Sequence, residues 1–166
     1  MEGAPREQIR ERYGRRCGYC GVREEDAGAT LTMDHHRPRI RGGGEDAENI
    51  VYCCPRCNEH KGSYWHETDP PHIRLLHPRR DDLTAHIREE KDGQLTGLTP
   101  EGVFFVQRLR LNRSPLVAYR IKPRAEQRLD DEVNALRRRV HELEQRIADL
   151  NTVVASTADE IERESM

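Results

Sequence analysis

Two short stretches decide the fold: Cys17-Gly18-Tyr19-Cys20 and Cys54-Pro55-Arg56-Cys57. Each contains a Cys-x-x-Cys pair, a spacing that is typical of tetrahedral zinc sites rather than of disulfides. Four thiolates fill the coordination of zinc, so we expect a structural ion with no open position for substrate. Four unrelated buried cysteines would not explain two pairs at ligand spacing. We expect the fifth cysteine, Cys53, to be a small core residue pointing away from the metal.

The amino-acid composition indicates that hydrophobic burial alone would stabilise this fold poorly, so a bound metal would add stability. Of 166 residues, 34% are hydrophobic and 35% are charged, and the mean hydropathy is -0.95. Such a chain buries little apolar surface for its length. Reduced cysteines favour a cytoplasmic protein. We find no signal-peptide pattern and no apolar run near the roughly 20 residues that span a bilayer, so we predict no membrane association.

The charge is unevenly distributed along the chain. The net charge is -2, but residues 124–166 hold 7 Lys+Arg against 11 Asp+Glu. Residues 1–123 therefore carry 21 against 19, a balance of +2, together with seven of the eight histidines. This weak basic excess is compatible with modest affinity for nucleic acid.

The pattern divides the chain into three predicted domains: 1–66, 67–123 and 124–166. The first holds all the cysteines. We predict that it contains a short helix over Arg6–Tyr13, a strand near Thr30–Met33, a second strand within Glu48–Cys53 and a helix from Pro55 to about Trp65. Residues 67–123 are predicted to hold a hairpin turning at Lys91-Asp92-Gly93. A helix is predicted to follow, capped by Thr99 with Pro100 at its first position. This extension shows no catalytic pattern, and its role stays open.

The third domain carries a heptad repeat over 129–154. Spacings of four and three alternate between apolar residues, with β-branched residues at position a and leucine at position d, which favours a parallel two-stranded coiled coil. Glu132 would face Arg137 of a second copy, and Arg139 would face Glu144. The members of the stripe are Leu129, Val133, Leu136, Val140, Leu143, Ile147, Leu150 and Val154. We predict a homodimer; the alternative is one amphipathic helix packed on its own domain.

The residues between the two cysteine pairs carry the chemistry. They read Met33-Asp34-His35-His36-Arg37-Pro38, then Gly42-Gly43-Gly44, then Asn49-Ile50-Val51, and the second pair continues as Asn58-Glu59-His60-Lys61-Gly62. Over about residues 17–62 this order resembles the zinc-stapled branch of the HNH endonucleases. The resemblance implies a ββα-metal (His-Me finger) core. Together with the small extension and the long C-terminal coiled-coil helix predicted above, this gives an α+β fold class.

The residue types suit metal-dependent hydrolysis of a phosphodiester. Such hydrolysis needs an activated water and a cation that absorbs charge on the leaving oxygen. His35 is the candidate general base, because imidazole accepts a proton near neutral pH. Asp34 and Asn58 offer hard oxygen ligands, which suit Mg²⁺ or Mn²⁺ as an exchangeable catalytic ion.

Four further residues are predicted to support the reaction. The resemblance implies that Asn49 holds the two strands in register and orients the histidine through its backbone. Arg39, Arg41 and Lys61 are predicted to contact phosphate oxygens, which position a nucleic acid without reading its sequence. His36 replaces the usual apolar residue of the family and is an alternative ligand or base.

The sequence therefore predicts an endonuclease that acts on nucleic acid, most simply DNA. One alternative is a zinc-stapled DNA-binding or adaptor subunit that does not cleave. A degenerate member would have lost Asp34, His35 or Asn58, and all three are present. Another alternative is a cutting subunit activated by a partner protein in a defence or mobile-element system.

Overall fold

The computed structural model describes residues 5–164, and it describes side chains except at 124, 125, 127 and 152–164. The fold is mixed α+β with two small sheets and a long C-terminal helix. The chain divides into two units, the first ending at Ile121 and the second beginning at Lys122. The predicted domains 1–66 and 67–123 fall almost entirely in the first unit. Within the described residues, no helix is both long enough and apolar enough to cross a membrane.

The first sheet joins two strands that flank the candidate chemistry. Helix α1 spans Arg6–Arg12, strand β1 spans Thr32–His35 and strand β2 spans Ile50–Cys53. The strands are antiparallel, with Asp34 opposite Val51 and His35 opposite Ile50. A 3-10 turn over Arg39–Arg41 lies in the connection between them. Both strands fall within two residues of where the sequence predicted them.

Helix α2 follows β2 directly and spans Pro55–Lys61. Proline at its first position suits a helix start, because the missing N–H has no helical acceptor there. The helix ends at Lys61, four residues before the predicted end near Trp65. Gly62 has a positive φ of 59°, which ends the helix. Glycine adopts this conformation with little steric strain because it has no Cβ.

The remainder of the first unit forms a hairpin and two helices. Helix α3 spans Leu83–His86, strands β3 and β4 span Ile87–Glu89 and Leu95–Gly97, and helix α4 spans Pro100–Arg108. The hairpin and the capping of α4 by Thr99 are confirmed. Phe105 and Leu109 are buried in one core with Val51, Tyr52 and the cysteines, as apolar residues on one face of α4 should be.

Helix α5 spans Ser114–Glu164, 51 residues in all. It begins ten residues before the predicted boundary at 124 and includes Pro123. Proline removes one helical hydrogen bond and is usually read as a boundary, but this helix continues through it. In the second unit the heptad residues from Leu129 to Leu150 are 37–61% exposed. The predicted stripe residue Val154 lies outside the described side chains.

Candidate functional site

The four cysteines of the two pairs form one cluster, called here the cysteine cluster. Their sulfur atoms all lie within 4.8 Å of one another, and Cys20 Sγ is 3.8 Å from Cys54 Sγ. Tetrahedral Zn–S bonds of about 2.3 Å place sulfur atoms about 3.8 Å apart, so the donor set fits zinc. Hydrogen bonds among the sulfurs lower the pKa of Cys54 and raise the pKa of Cys20 and Cys57, because one thiolate accepts from its protonated neighbours. The cluster is compatible with the predicted structural zinc.

Arg113 contacts this cluster from the residue before α5. Its Nη2 lies 3.9 Å from Cys54 Sγ and 3.8 Å from Cys57 Sγ. Four thiolates around one Zn²⁺ leave a net charge of -2, so a guanidinium beside two sulfurs stabilises the loaded site. No local pattern in the sequence marks Arg113, because it lies more than 50 residues from the cysteines that it contacts.

Helix α2 also contributes to a second site, a cleft of about 360 Å³ beside β1, called here the cleft. Three predicted site residues, Asp34, His35 and Asn58, line it together. Its other lining residues are Met33, Pro38, Arg39, Ile40, Lys61, Gly62 and Ser63. The structure therefore brings the proposed base and both proposed oxygen ligands to one open surface.

Asp34 is held from two sides. The Tyr19 hydroxyl donates to Asp34 Oδ2 at 2.6 Å, and Lys61 Nζ donates to Asp34 Oδ1 at 3.0 Å. Burial raises the pKa of Asp34, and both partners oppose that rise by favouring the carboxylate. Tyr19 lies between Cys17 and Cys20, so one loop supplies two cluster cysteines and the hydroxyl that bonds Asp34 on β1. Sequence reasoning missed this tyrosine, although its place inside the Cys-x-x-Cys pair marks it as close to the metal.

Lys61 is fully buried rather than exposed to a phosphate. Its side chain is 0% exposed, and Nζ also donates to the backbone oxygen of His35 at 2.7 Å. The Arg108 guanidinium donates to the backbone carbonyl of Lys61 at 2.7 Å. The lysine thus ties α2 to β1 at the two residues that carry the candidate chemistry.

The His35 side chain contacts the ion pair between Arg39 and Glu45. His35 Nε2 lies 3.0 Å from Glu45 Oε1 and 3.1 Å from Arg39 Nε. Arg39 itself binds both oxygens of Glu45, at 2.5 and 2.9 Å. His35 is only 17% exposed, whereas Arg39 is 68% exposed.

Asn49 holds the loop that connects the strands. Its Oδ1 accepts from the Arg37 N–H at 2.9 Å, and its Nδ2 donates to the Arg37 and Gly44 carbonyls. Gly43 is required here, because a Cβ would lie 1.8 Å from the Arg37 oxygen. The predicted bond to the backbone of His35 is made by Lys61, and Asn49 fixes the flanking residues instead.

His36 does not line the cleft. It is buried against His77, with ring centroids 4.7 Å apart, and its Nδ1 and His77 Nε2 have no hydrogen-bond partner among the described residues. Burial lowers the pKa of His36 to about 3 and that of His77 to about 4. Both rings are therefore neutral at pH 7, and His36 serves as a core residue.

The third predicted phosphate ligand, Arg41, pairs with Asp69 at 2.6 Å and is one-third exposed.

The cysteine cluster fits a structural zinc ion, and the open cleft beside it holds an aspartate, a histidine and an asparagine. This combination defines a small zinc-compatible domain with a candidate hydrolytic active site. Residues 17–64 match the model of the family described as HNH endonuclease. Neither the curated proteins nor the solved structures gave a match. The match of this segment to the HNH model indicates a nuclease or nucleic-acid-binding function.

Proposed function

We propose that the first unit hydrolyses phosphodiester bonds of nucleic acid, most simply DNA, with His35 as the general base. The observation that carries the proposal is the joint presence of Asp34, His35 and Asn58 in one open cleft of the HNH segment. Each of the three side chains supplies one of the functions that the reaction needs.

His35 would take the proton from the attacking water. Its backbone is held by Lys61 and its ring is mostly buried, so the imidazole needs little reorganisation before the reaction. The oxygen of that water attacks the phosphorus atom, and the bond to the leaving oxygen breaks. A general base must lie within hydrogen-bond reach of the water and be able to accept its proton, and we assign both properties to His35.

Asp34 and Asn58 would hold the catalytic divalent ion. A carboxylate and an amide oxygen suit Mg²⁺ or Mn²⁺, and the cleft leaves room for water and phosphate. When bound, such an ion neutralises charge that develops on the leaving oxygen. Lys61 keeps Asp34 ionised and in position, and we assign it this role instead of the phosphate contact predicted from sequence.

Arg39 and Arg41 remain the proposed phosphate contacts. Both lie on the 3-10 turn at or beside the cleft, and Arg39 is the more exposed of the two. Each arginine has an acidic partner in the free protein, which a phosphate oxygen would replace. Contacts of this kind position the backbone and leave base specificity open.

Cleavage of supercoiled plasmid tests the proposal. Purified protein is incubated with Mg²⁺, Mn²⁺ or EDTA, beside His35→Ala and a matched control, His141→Ala, which changes an exposed histidine of the second unit. We expect metal-dependent nicking or linearisation that falls by about 100-fold or more in His35→Ala. Zinc content and unfolding temperature should be the same in all three proteins. Equal cleavage by His35→Ala would disprove its role as base.

The same experiment separates the main alternative, a zinc-stapled binder that does not cleave. Such a protein would retain plasmid in a gel-shift assay, with affinity falling steeply as salt increases, yet leave it intact with every metal. A cutting subunit activated by a partner would also leave it intact when purified. Cleavage restored by cell extract but not with His35→Ala would identify that case.

The second unit supports assembly into a parallel homodimer. Seven apolar side chains from Leu129 to Leu150 follow the heptad spacing on α5 and are at least 37% exposed in the single chain. The charges at positions g and e are complementary between two copies in parallel. A parallel coil attaches both first units at the same end, which favours cleavage of both strands of a duplex.

Light scattering tests this assembly directly. The full chain should have the mass of a dimer, and Leu136→Glu with Leu143→Glu should give a monomer, because two carboxylates would enter the apolar stripe. Asn134→Glu with His141→Glu places the same charges outside the stripe and should stay dimeric. A monomeric wild type would disprove the homodimer. On plasmid, the monomeric variant should nick but not linearise in one encounter.

A further inference from the structure

We propose that Glu45 is the positioning residue that sets the orientation and tautomer of His35; the proposal rests on the nuclease function above. Glu45 lies ten residues after His35, in the loop between β1 and β2. Its carboxylate is the only anionic group of the described residues that contacts the imidazole, with Oε1 3.0 Å from His35 Nε2. No catalytic pattern in the sequence includes it.

The first step is to decide which atom carries the hydrogen. Arg39 Nε is 2.5 Å from Glu45 Oε1 and 3.1 Å from His35 Nε2. An ionised carboxylate is a stronger acceptor for a guanidinium N–H than a neutral ring nitrogen. The Arg39 Nε–H is within hydrogen-bond geometry of both acceptors, and we assign its hydrogen to Glu45, so that Arg39 Nε and His35 Nε2 become two donors that share this carboxylate.

The second step gives the tautomer of the imidazole. With Arg39 bound to Glu45, His35 Nε2 must carry a hydrogen to bond the same carboxylate. In neutral imidazole the other nitrogen, Nδ1, then has a free lone pair. Glu45 thereby selects Nδ1 as the atom that accepts the proton from water, and it stabilises the positive ring that results.

The third step explains how an exposed loop keeps Glu45 in place. Asn49 donates to the Gly44 carbonyl at 2.8 Å, and its backbone N–H bonds the Asp46 carbonyl at 2.9 Å. These bonds fix the residues on either side of Glu45. Asn49 therefore acts on His35 through Glu45, which gives this asparagine a defined part in the site.

A double-mutant cycle tests the proposal. Cleavage rates are measured for wild type, Glu45→Ala, His35→Ala and the double variant, with Glu67→Ala as control because Glu67 is an exposed partner of Arg37. We expect Glu45→Ala to lower kcat by about 10- to 100-fold in the wild-type background. In the His35→Ala background it should cause no further loss. KM should not rise, because Arg39 is freed for phosphate. Glu45→Gln, which keeps an acceptor, should recover part of kcat.

Nitrogen NMR of the imidazole gives a readout that does not need cleavage. In metal-free solution above pH 7.5, wild type should show the Nε2–H tautomer of His35, and Glu45→Ala should shift the population toward Nδ1–H at unchanged unfolding temperature. An unchanged tautomer, or an equal loss of kcat in both backgrounds, would overturn the proposal. If wild type cleaves no substrate, the nuclease function fails, while the tautomer shift still decides the role of Glu45.

Discussion

The cysteine cluster and the cleft are both built on α2, yet they are made in different ways. The cluster uses four copies of one residue type, and three of the four are buried. The cleft combines a carboxylate and an imidazole from β1 with an amide from α2, on an open surface. A closed metal site is defined chiefly by its ligands, whereas an open one also needs residues that hold each ligand in the absence of the metal.

Replacing one cluster ligand should have the largest effect. Cys57→Ser removes a thiolate, and because structural zinc contributes about 10–16 kcal/mol of apparent binding free energy, we expect the first unit to lose zinc and unfold at 25 °C. Zinc analysis and circular dichroism measure both losses. Cys53→Ala changes a buried cysteine outside the cluster and should keep zinc at a cost of about 1 kcal/mol. Equal effects of the two variants would contradict the assignment.

Breaking the buried ion pair under the cleft should be the next largest effect. Lys61→Met leaves Asp34 buried without its cation, and loss of one partner of such a pair costs about 3–5 kcal/mol. Denaturant unfolding with saturating zinc measures this loss. Lys122→Met removes an exposed lysine and should change stability by less than about 0.5 kcal/mol. Adding Asp34→Asn to Lys61→Met should recover part of the loss, and strict additivity would show that the pair does not interact.

Acid should destabilise the buried contact between His36 and His77 as well as the cluster. Burial lowers the pKa of His77 from 6.5 in the unfolded chain to about 4. Between these values the unfolded state binds more protons, so stability is complete above pH 6.5 and falls as the pH falls toward 4. His77→Asn keeps an acceptor for the N–H groups of Arg79 and Arg80 but cannot titrate.

The measurement for His77→Asn is unfolding free energy at pH 7.5 and pH 4.5. Wild type should lose about 2–3 kcal/mol more than the variant over this interval, because one pKa unit is worth about 1.4 kcal/mol. Protonation of the cysteine cluster affects both proteins alike and cancels in the difference. An identical loss in both would show that His77 contributes nothing, and would leave the acid sensitivity to the cluster and to His36.

Removing the charge beside the cluster should have the smallest effect. Arg113→Ala deletes the guanidinium next to Cys54 and Cys57, and we expect zinc affinity to fall by about 10-fold, with Arg113→Lys intermediate. Competition with a chelator measures the affinity. Arg56→Ala is the control, because Arg56 and Arg113 line one cavity beside Cys54, but Arg56 pairs with Glu59. No change in Arg113→Ala would show that the cluster needs only its four ligands.

The two regions differ in how far the sequence predicted them. The cluster was predicted completely, because ligand spacing is a local property of the chain. The strands and the hairpin were also predicted, since alternation and turn residues act over a few positions. The burial of Lys61 was not predicted, because lysine is exposed in most proteins and only its pairing with Asp34 reverses that preference. The roles of Tyr19, Glu45 and Arg113 depend on distances across 10 to 59 residues, which periodicity does not encode.

The start of α5 shows a further limit. The sequence placed the helix boundary at 124, but α5 begins at Ser114 with a proline at its second residue and continues through Pro123. Proline at a helix start is favourable, while proline inside a helix is costly and is tolerated when the flanking turns are otherwise stabilised. The sequence alone does not distinguish a proline at a helix start from a proline inside a helix. The packing of residues such as Leu116 in the core shows where α5 begins.

The crowding of roles on α2 limits how this protein can change during evolution. In seven residues the helix carries a cluster ligand, Cys57, a cleft residue, Asn58, and the buried cation Lys61. Each residue of an α-helix turns the side chain by about 100°. One inserted or deleted residue between Cys57 and Lys61 would therefore rotate one site out of place whenever the other was kept. Length variation among descendants of this sequence should be confined to segments outside α2.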